Sequence, residues 1–321
     1  MNLNHYKKLS GDASFRSFYR SNKSVIVYSK KDPKINLLIY DAINKLLLKN
    51  KINAPKLLKE NYDKNYIEIE DLGDETILST LKRKKAKIEI YKKIFLLLIR
   101  IQKINKEKTL TFKKSYYHLP KYSEKKLIEE ANLFTQWYLP TKLTKNEIKK
   151  VKNKLNKIFK KLLSKLKIKK KVLVHRDFHI SNIMFHKNKL FLIDSQDAVY
   201  GNPAYDLASL IDDVRFKTTR NFKNHLLQTY FKLEKKINIE KLKNDFEILS
   251  VLRNLKIIGI FTRLSLRDKK HKYLKFIPYA WKLIQDRSED IKFEELNVLL
   301  NNYIPETVSY THLTLPTTSS V

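Results

Sequence analysis

Near the start of the chain, apolar and polar positions alternate in short runs. Residues 15–20 and 24–28 are rich in β-formers, and Tyr66–Glu70 (YIEIE) alternates apolar and acidic side chains. A strand with one buried face reads this way. Between them, Leu37, Tyr40, Ile43 and Leu47 recur at helical spacing over 36–48. Asp71-Leu72-Gly73 breaks the pattern and reads as a hinge. Beyond it helical periodicity dominates. Ile88, Tyr91, Phe95, Leu98, Ile99 and Gln102 mark a helix over 84–104. Thr144-Lys145-Asn146-Glu147 has the form of a capping box, with Ile148, Val151, Leu155, Ile158, Phe159, Leu162 and Leu166 on one face after it. Such a basic amphipathic helix can serve a membrane or a calmodulin-like partner, but packing against a core is the commoner use.

A β element interrupts the helices. Residues 172–174 predict a short strand; 183–185 and 190–193 predict a hairpin with Lys187-Asn188 at its tip. Helices are then expected from Asp206, over 215–233, over 239–261 and over 273–284.

Composition narrows the classes. Apolar residues make up 42% of 321 residues and charged ones 31%, which fits a globular chain with a substantial core. The N-terminal segment MNLNHYKKLS lacks the apolar stretch of a secretory signal, and no apolar run reaches membrane-spanning length, so a cytoplasmic protein is expected. No cysteine is present, which excludes disulfides and thiolate metal sites. The net charge of +34 is spread along the chain as lysines on the polar sides of helices. Lysine accumulation from AT-rich codons explains that spread; a nucleic-acid footprint needs clustering. Only Gly11, Gly73, Gly201 and Gly259 occur, too few and too scattered for a Walker A loop or a dinucleotide fingerprint. Residues 308–321 contain no charge; they resemble a translated adapter sequence and are set aside from the fold, with a native disordered tail as the alternative.

The candidate chemistry lies in 172–206, VLVHRDFHISNIMFHKNKLFLIDSQDAVYGNPAYD. His175, Arg176, Asp177 and Asn182 have the spacing H-R-D-x-x-x-x-N of a kinase catalytic loop, and Asp194 closes the next apolar run. In that reading Asp177 orients the attacking hydroxyl, while Asn182 and Asp194 hold Mg²⁺ through oxygen. His175, Arg176 and His179 brace the loop. Asp-x-x-x-x-Asn alone is an ordinary polar turn; the flanking strands and Asp194 make the case. A rival reading uses His175, Asp177 and His179 as a hydrolytic metal site, but it leaves Asn182 and Asp194 idle. Gly11 to Arg16 (GDASFR) sits between candidate strands, where Gly11 and Ser14 could cover nucleotide phosphates; by itself it is a routine turn.

HRDFHISN followed by IDSQDAVYGNPAYDLASLIDD resembles the aminoglycoside phosphotransferase and choline kinase superfamily. QDAVYG at 196–201 and RNLKIIGIF from 253 are more similar to the bacterial anomeric kinases of N-acetylmuramate and N-acetylglucosamine. GDASFR, EDLGD at 70–74 and LFTQWYL at 133–139 extend the resemblance over 9 to about 285.

The resemblance implies an α+β, bilobal protein-kinase-like fold. Residues 1–72 would form a small β-rich N-lobe with phosphate loop and hinge, and 73–307 a larger, mainly helical C-lobe. It implies ATP and Mg²⁺ as cofactors, with Gly11, Ser14 and Asp71 on the nucleotide. The reaction would move the γ-phosphate to the C1 hydroxyl of an amino sugar in cell-wall recycling. Gln196, Asp197 and Arg253 become candidates for the sugar, Arg253 for the lactyl carboxylate of muramate because guanidinium pairs with carboxylate bidentately. Asp206 would anchor the catalytic loop. Trp137 could stack on a sugar, although an aromatic in that context is more often core. A monomer is expected, with no specific nucleic-acid or membrane partner. Alternatives are a kinase of another small alcohol (an aminoglycoside, choline or homoserine) and a pseudokinase binding module. The last is kept open by Val25-Ile26-Val27-Tyr28, where a kinase strand carries lysine at the position read here as Tyr28; Lys30 and Lys31 are the nearby substitutes.

Overall fold

A computed structural model describes residues 6–9, 16–21, 24–29, 35–83 and 87–305 of the chain. Gly11, Ser14, Lys30, Lys31 and the uncharged tail lie outside the described residues. The chain forms two compact units. One comprises Met1–Lys121, Lys170–Ile211 and Phe222–Ile237; the other comprises Tyr122–Lys169, Asp212–Asn221 and Asn238–Val321.

In the first unit, β1 (Lys7–Leu9), β2 (Arg16–Arg20), β3 (Ser24–Ser29), β4 (Leu57–Asn61) and β5 (Tyr66–Glu70) make an antiparallel sheet in the order β1-β2-β3-β5-β4. Alternation places Val25 and Val27 on one face of β3, where they cluster with Ile67 and Ile69 of β5 and with Leu37 and Tyr40 of α1 (Ile35–Lys49). The edge strand β4 reads LLKEN and leaves Leu58, Lys59 and Glu60 exposed, so no alternation announces it. After α2 (Ile77–Arg83), α3 (Lys87–Gln102) buries Tyr91, Phe95 and Leu98 as its spacing predicts. Phe95 meets Tyr230 of α7 (Arg220–Leu233) edge-on at 5.4 Å. The hairpin β6 (Lys108–Leu110) and β7 (Tyr116–His118) carries no period that the sequence reveals.

The predicted β element is present in the same unit. β8 (Val172–Val174) pairs with β11 (Val199–Gly201), and β9 (Ile183–His186) pairs with β10 (Lys189–Leu192). Lys187 and Asn188 form the tip with φ of 46° and 60°. Two successive left-handed residues make the tight turn that suits strand twist, and asparagine tolerates it. α6 (Ala204–Ile211) follows and is buried at every residue.

The second unit is helical. Its elements include α4 (Glu124–Ala131), α5 (Lys145–Ser164), α8 (Ile239–Leu266), α9 (Ile277–Arg287) and α10 (Glu294–Tyr303). α5 opens on the predicted capping box: Thr144 accepts from the Glu147 amide, and Glu147 accepts from the Thr144 amide at 2.9 Å. Residues 215–219, expected to be helical, lie before α7; the Arg215 amide bonds the Asp213 carboxylate there instead. Pro278 at the head of α9 likewise moves that helix start beyond residue 273. Between α4 and α5, Phe134–Tyr138 is a wide π turn. Phe134 and Tyr138 stack at 5.3 Å and both meet Trp281 of α9. Trp137 stays half-buried outside this trio. Among the described residues no helix is long and apolar enough to cross a membrane.

Gly259 fixes how close α8 comes to the start of the π turn. A Cβ there would sit 2.2 Å from the Leu133 carbonyl carbon and 2.5 Å from the Phe134 amide nitrogen. Backbone cannot yield as a side chain can. Gly259→Ala is therefore expected to destabilise the protein by about 1–3 kcal/mol, although alanine favours a helix. Urea unfolding measures this; an unchanged or raised midpoint would show that the helix and the turn separate easily.

Candidate active site

β8 delivers the chain into a turn in which Arg176 adopts φ of 73°. That left-handed conformation costs an ordinary residue about 1 kcal/mol. It persists because Asp206, buried completely in the first turn of α6, accepts the His175 amide at 2.6 Å and the Arg176 amide at 3.0 Å. His175 is also buried, and its Nε2 lies 3.0 Å from the Ile193 carbonyl, so the turn is tied to the segment leading to Asp194. Burial lowers the His175 pKa against the pull of the Asp177 and Asp194 charges. A neutral imidazole fits the bracing role.

The Asp177 carbonyl accepts the His179 amide at 2.9 Å and the Asn182 side-chain nitrogen at 3.0 Å. That contact engages the Asn182 nitrogen, and the side-chain oxygen has no hydrogen bond among the described residues. Asn182 Nδ2 also lies 3.4 Å from His179 Nε2. The Ile193 amide bonds the Asn182 carbonyl at 3.0 Å, placing the hairpin ends, and hence Asn182 and Asp194, side by side. Asp194 has φ of 62°, a second left-handed position outside glycine. Its Oδ1 accepts from Arg16 at 2.7 Å, leaving Oδ2 without a hydrogen bond among the described residues.

Asn182 and Asp194 line a cavity of about 380 Å³. Phe18, Val25, Ile69 and Met184 give it apolar walls, and residues 70–73 form one rim. That size and composition suit a flat heteroaromatic ring. Asp71 lies in the rim, but its carboxylate is engaged: Arg20 Nε approaches it at 2.7 Å and the Gly73 amide at 2.9 Å. Arg20 also pairs with Asp74 at 2.8 Å, so β2 clamps the hinge. Two unpaired hard oxygens beside such a cavity fit a magnesium ion that takes its remaining ligands from phosphate and water. Among the described residues no group of three His, Asp or Glu side chains is placed to hold a metal, so the rival set His175, Asp177 and His179 does not assemble.

Gln196 and Asp197 follow directly. Gln196 accepts from Arg16 at 2.7 Å and donates to Asp197 at 2.8 Å, and Asp197 faces Arg176 at 3.5 Å. Ser195 donates to Asn44 of α1 at 2.7 Å. The structure thus brings Asp71, His175, Arg176, Asp177, His179, Asn182, Asp194, Gln196, Asp197 and Asp206 into one unit. Arg253, in α8, belongs to the other unit; it is buried, and its Nη1 has no hydrogen bond.

The sequence reading missed Arg16 and Arg20 as side chains of the site and placed the lysine position on the wrong face. Val25 lines the cavity and Val27 shares its face, whereas Tyr28 points the other way. The position lacking a lysine is therefore Val27. The signal for the arginines was present in Arg16-Ser17-Phe18-Tyr19-Arg20, whose period of two sets both arginines beside Phe18.

The profile of the family described as "Phosphotransferase enzyme family" matches residues 5–242. An N-acetylmuramate/N-acetylglucosamine kinase of Neisseria meningitidis is 29% identical over 84% of this chain and 81% of its own. The protein of that name from Pseudomonas putida is 27% identical over 89% and 86%. Among solved structures, the GDP complex of wild-type aminoglycoside 2'-phosphotransferase-IIIa aligns with a TM-score of 0.61 at 13% identity, covering 88% of this chain and 92% of that one. The choline kinase LicA from Streptococcus pneumoniae aligns at 0.59 and 17% identity, covering 91% and 93%. The fold is therefore the protein-kinase-like fold that the sequence resemblance implied.

Removing the Asp206 carboxylate leaves two buried amides without their acceptor. Asp206→Ala is expected to lose about 2–5 kcal/mol of stability, and Asp206→Asn less, because one acceptor oxygen remains. Denaturant unfolding of the pair reads both; equal midpoints in the two variants and the wild type would mean the turn does not need this anchor.

Proposed function

The chain belongs to the phosphotransferase enzyme family, and we propose that it is an ATP-dependent kinase of the C1 hydroxyl of N-acetylmuramate or N-acetylglucosamine. The observation that carries phosphoryl transfer is that Asn182 and Asp194 line one cavity while the Asn182 side chain is bonded to the backbone carbonyl of Asp177. The relatives named as N-acetylmuramate/N-acetylglucosamine kinases support the acceptor. The lobes of this reading are residues 1–72, which cover the nucleotide, and 73–307, which carry the catalytic loop.

The walls at Phe18, Val25, Ile69 and Met184 receive the adenine, and the backbone of residues 70–73 meets its edge. Asp71 contributes by holding that backbone through Arg20 and Gly73. Gly11 and Ser14 would cover the phosphates. Asn182 and Asp194 would hold Mg²⁺ through their oxygens, and the ion would supply positive charge against the phosphates. Asp177 accepts a hydrogen bond from the acceptor hydroxyl and orients its oxygen for in-line attack. An anomeric hydroxyl is more acidic than an ordinary alcohol, so a carboxylate of modest basicity serves. Gln196 and Asp197 follow the metal acid in the chain and would contact the sugar hydroxyls. Arg253 is the candidate for an acidic substituent of the acceptor, because guanidinium pairs with carboxylate bidentately. A sugar 1-phosphate inside the cell would feed cell-wall recycling.

Incubation with ATP, Mg²⁺ and a panel of sugars and alcohols, read by phosphorus NMR, tests the acceptor. A doublet from an anomeric phosphate is expected; phosphate at C6, on choline or on an aminoglycoside would overturn the assignment. Asp177→Asn is expected to lower kcat at least ~100-fold while retaining ATP binding. Turnover near wild type would remove Asp177 from this role.

A further inference from the structure

β3 presents valine on the cavity face where a phosphate-binding cation is needed, yet a cation stands next to it. Arg16 starts β2, opposite Ser29, and shares its face with Phe18 and Arg20. Along that face the three residues run in a functional order. Arg20 clamps the hinge at Asp71, Phe18 lines the cavity, and Arg16 reaches Asp194. Successive side chains on one face of a strand are about 7 Å apart, so Arg16 lies one step beyond the ring pocket, where a nucleotide's phosphates would begin. In sequence it follows Gly11 and Ser14 within five residues.

We propose that Arg16 is the phosphate-binding cation of the nucleotide site, replacing the lysine absent from β3, and that its ion pair with Asp194 is exchanged when nucleotide and metal enter. The assignment rests on the nucleotide reading of this cavity.

The asymmetry of the pair supports the exchange. The Arg16 side chain is 4% exposed, but that of Asp194 is 40% exposed. Arg16 does not depend on Asp194 for its place. Its guanidinium lies 5.1 Å from the Tyr40 ring and 5.8 Å from the Phe18 ring, and Nη1 donates to Gln196 at 2.7 Å. Those contacts hold a cation in position while the carboxylate is free to turn towards a metal. A purely structural buried pair would show both partners enclosed. The guanidinium fork matches two phosphate oxygens as well as it matches a carboxylate. Asp194 then carries two tasks in succession: it neutralises Arg16 in the resting protein and holds Mg²⁺ in the loaded one. Gln196 stays bonded to Arg16 throughout and links the phosphate end to Asp197.

Titration calorimetry with MgATP and with adenosine, on wild type, Arg16→Gln and Arg16→Lys, separates this from a structural role. Arg16→Gln is expected to weaken MgATP binding roughly 10–100-fold, as loss of a charged hydrogen-bonding partner does, with adenosine changed less than about twofold. Arg16→Lys should recover part of the loss. In magnesium-free buffer Asp194→Asn should bind ATP about threefold or more tighter than wild type, because Arg16 is released from its carboxylate. Unchanged MgATP affinity in Arg16→Gln, or an equal loss for adenosine, would overturn the assignment. If wild type binds neither MgATP nor adenosine, the nucleotide reading fails and the role of Arg16 falls with it; amino-sugar phosphorylation with a donor other than ATP would then be the surviving possibility.

Discussion

The turn after β8 depends on one buried carboxylate. A buried carboxylate without hydrogen bonds is costly, and Asp206 accepts both the His175 and the Arg176 amides. Those amides stay aligned only while Arg176 remains left-handed. Each condition enforces the other. α6 supplies the fixed point, since Tyr205, Leu207, Leu210 and Ile211 lock it in the interior. The constraint then travels through His175 to the Ile193 carbonyl, and from Ile193 to both Asn182 and Asp194. Two separate stretches of chain are held in register by backbone contacts, leaving side-chain oxygens available for chemistry.

Much of this arrangement was legible in the sequence where local physics decides. The β-rich run of β3, the alternation of β5, the capping box of α5 and the Lys187-Asn188 hairpin tip are each set by neighbouring residues. The spacing of Asp177, Asn182 and Asp194 marked the segment in which Asn182 bonds the Asp177 carbonyl and the Ile193 amide bonds the Asn182 carbonyl. What depended on register across strands was not. Tyr28 seemed to occupy the lysine position because the sequence gives no strand partner; pairing with β2 and β5 shows that Val27 faces the cavity. The β6–β7 hairpin, the edge strand β4 and the π turn at Phe134–Tyr138 likewise owe their form to packing. Arg16 lies in a motif the sequence singled out, but its role required knowing that β2 ends beside Asp194.

Charge is divided by residue type. Lysines carry most of the excess of positive charge and stand mainly on polar helix faces, as along α5. The interior relies more on arginine. Arg287 makes a buried pair with Asp212 at 2.9 and 3.0 Å, and Ser250 donates to the same carboxylate. Planar, weakly hydrated guanidinium tolerates burial better than ammonium. The buried exceptions have partners: Lys256 meets Glu130 at 2.7 Å, and Lys223 donates to the Ile211 carbonyl. A large net charge and a close-packed interior are therefore compatible here.

Scarce glycine leaves a mark on the surface turns. Lys51, Lys114 and Lys269 take φ of 59°, 59° and 55°, conformations that glycine enters without steric cost. They are away from the cavity and its loop, unlike Arg176 and Asp194, whose similar angles shape the site. For protein engineering, these turns form a reserve: Lys→Gly exchange there removes the side-chain clash of about 1 kcal/mol per position, offset in part by the greater freedom of glycine in the unfolded chain. Thermostability could thus be raised, and net charge lowered, without touching a residue of the catalytic cleft.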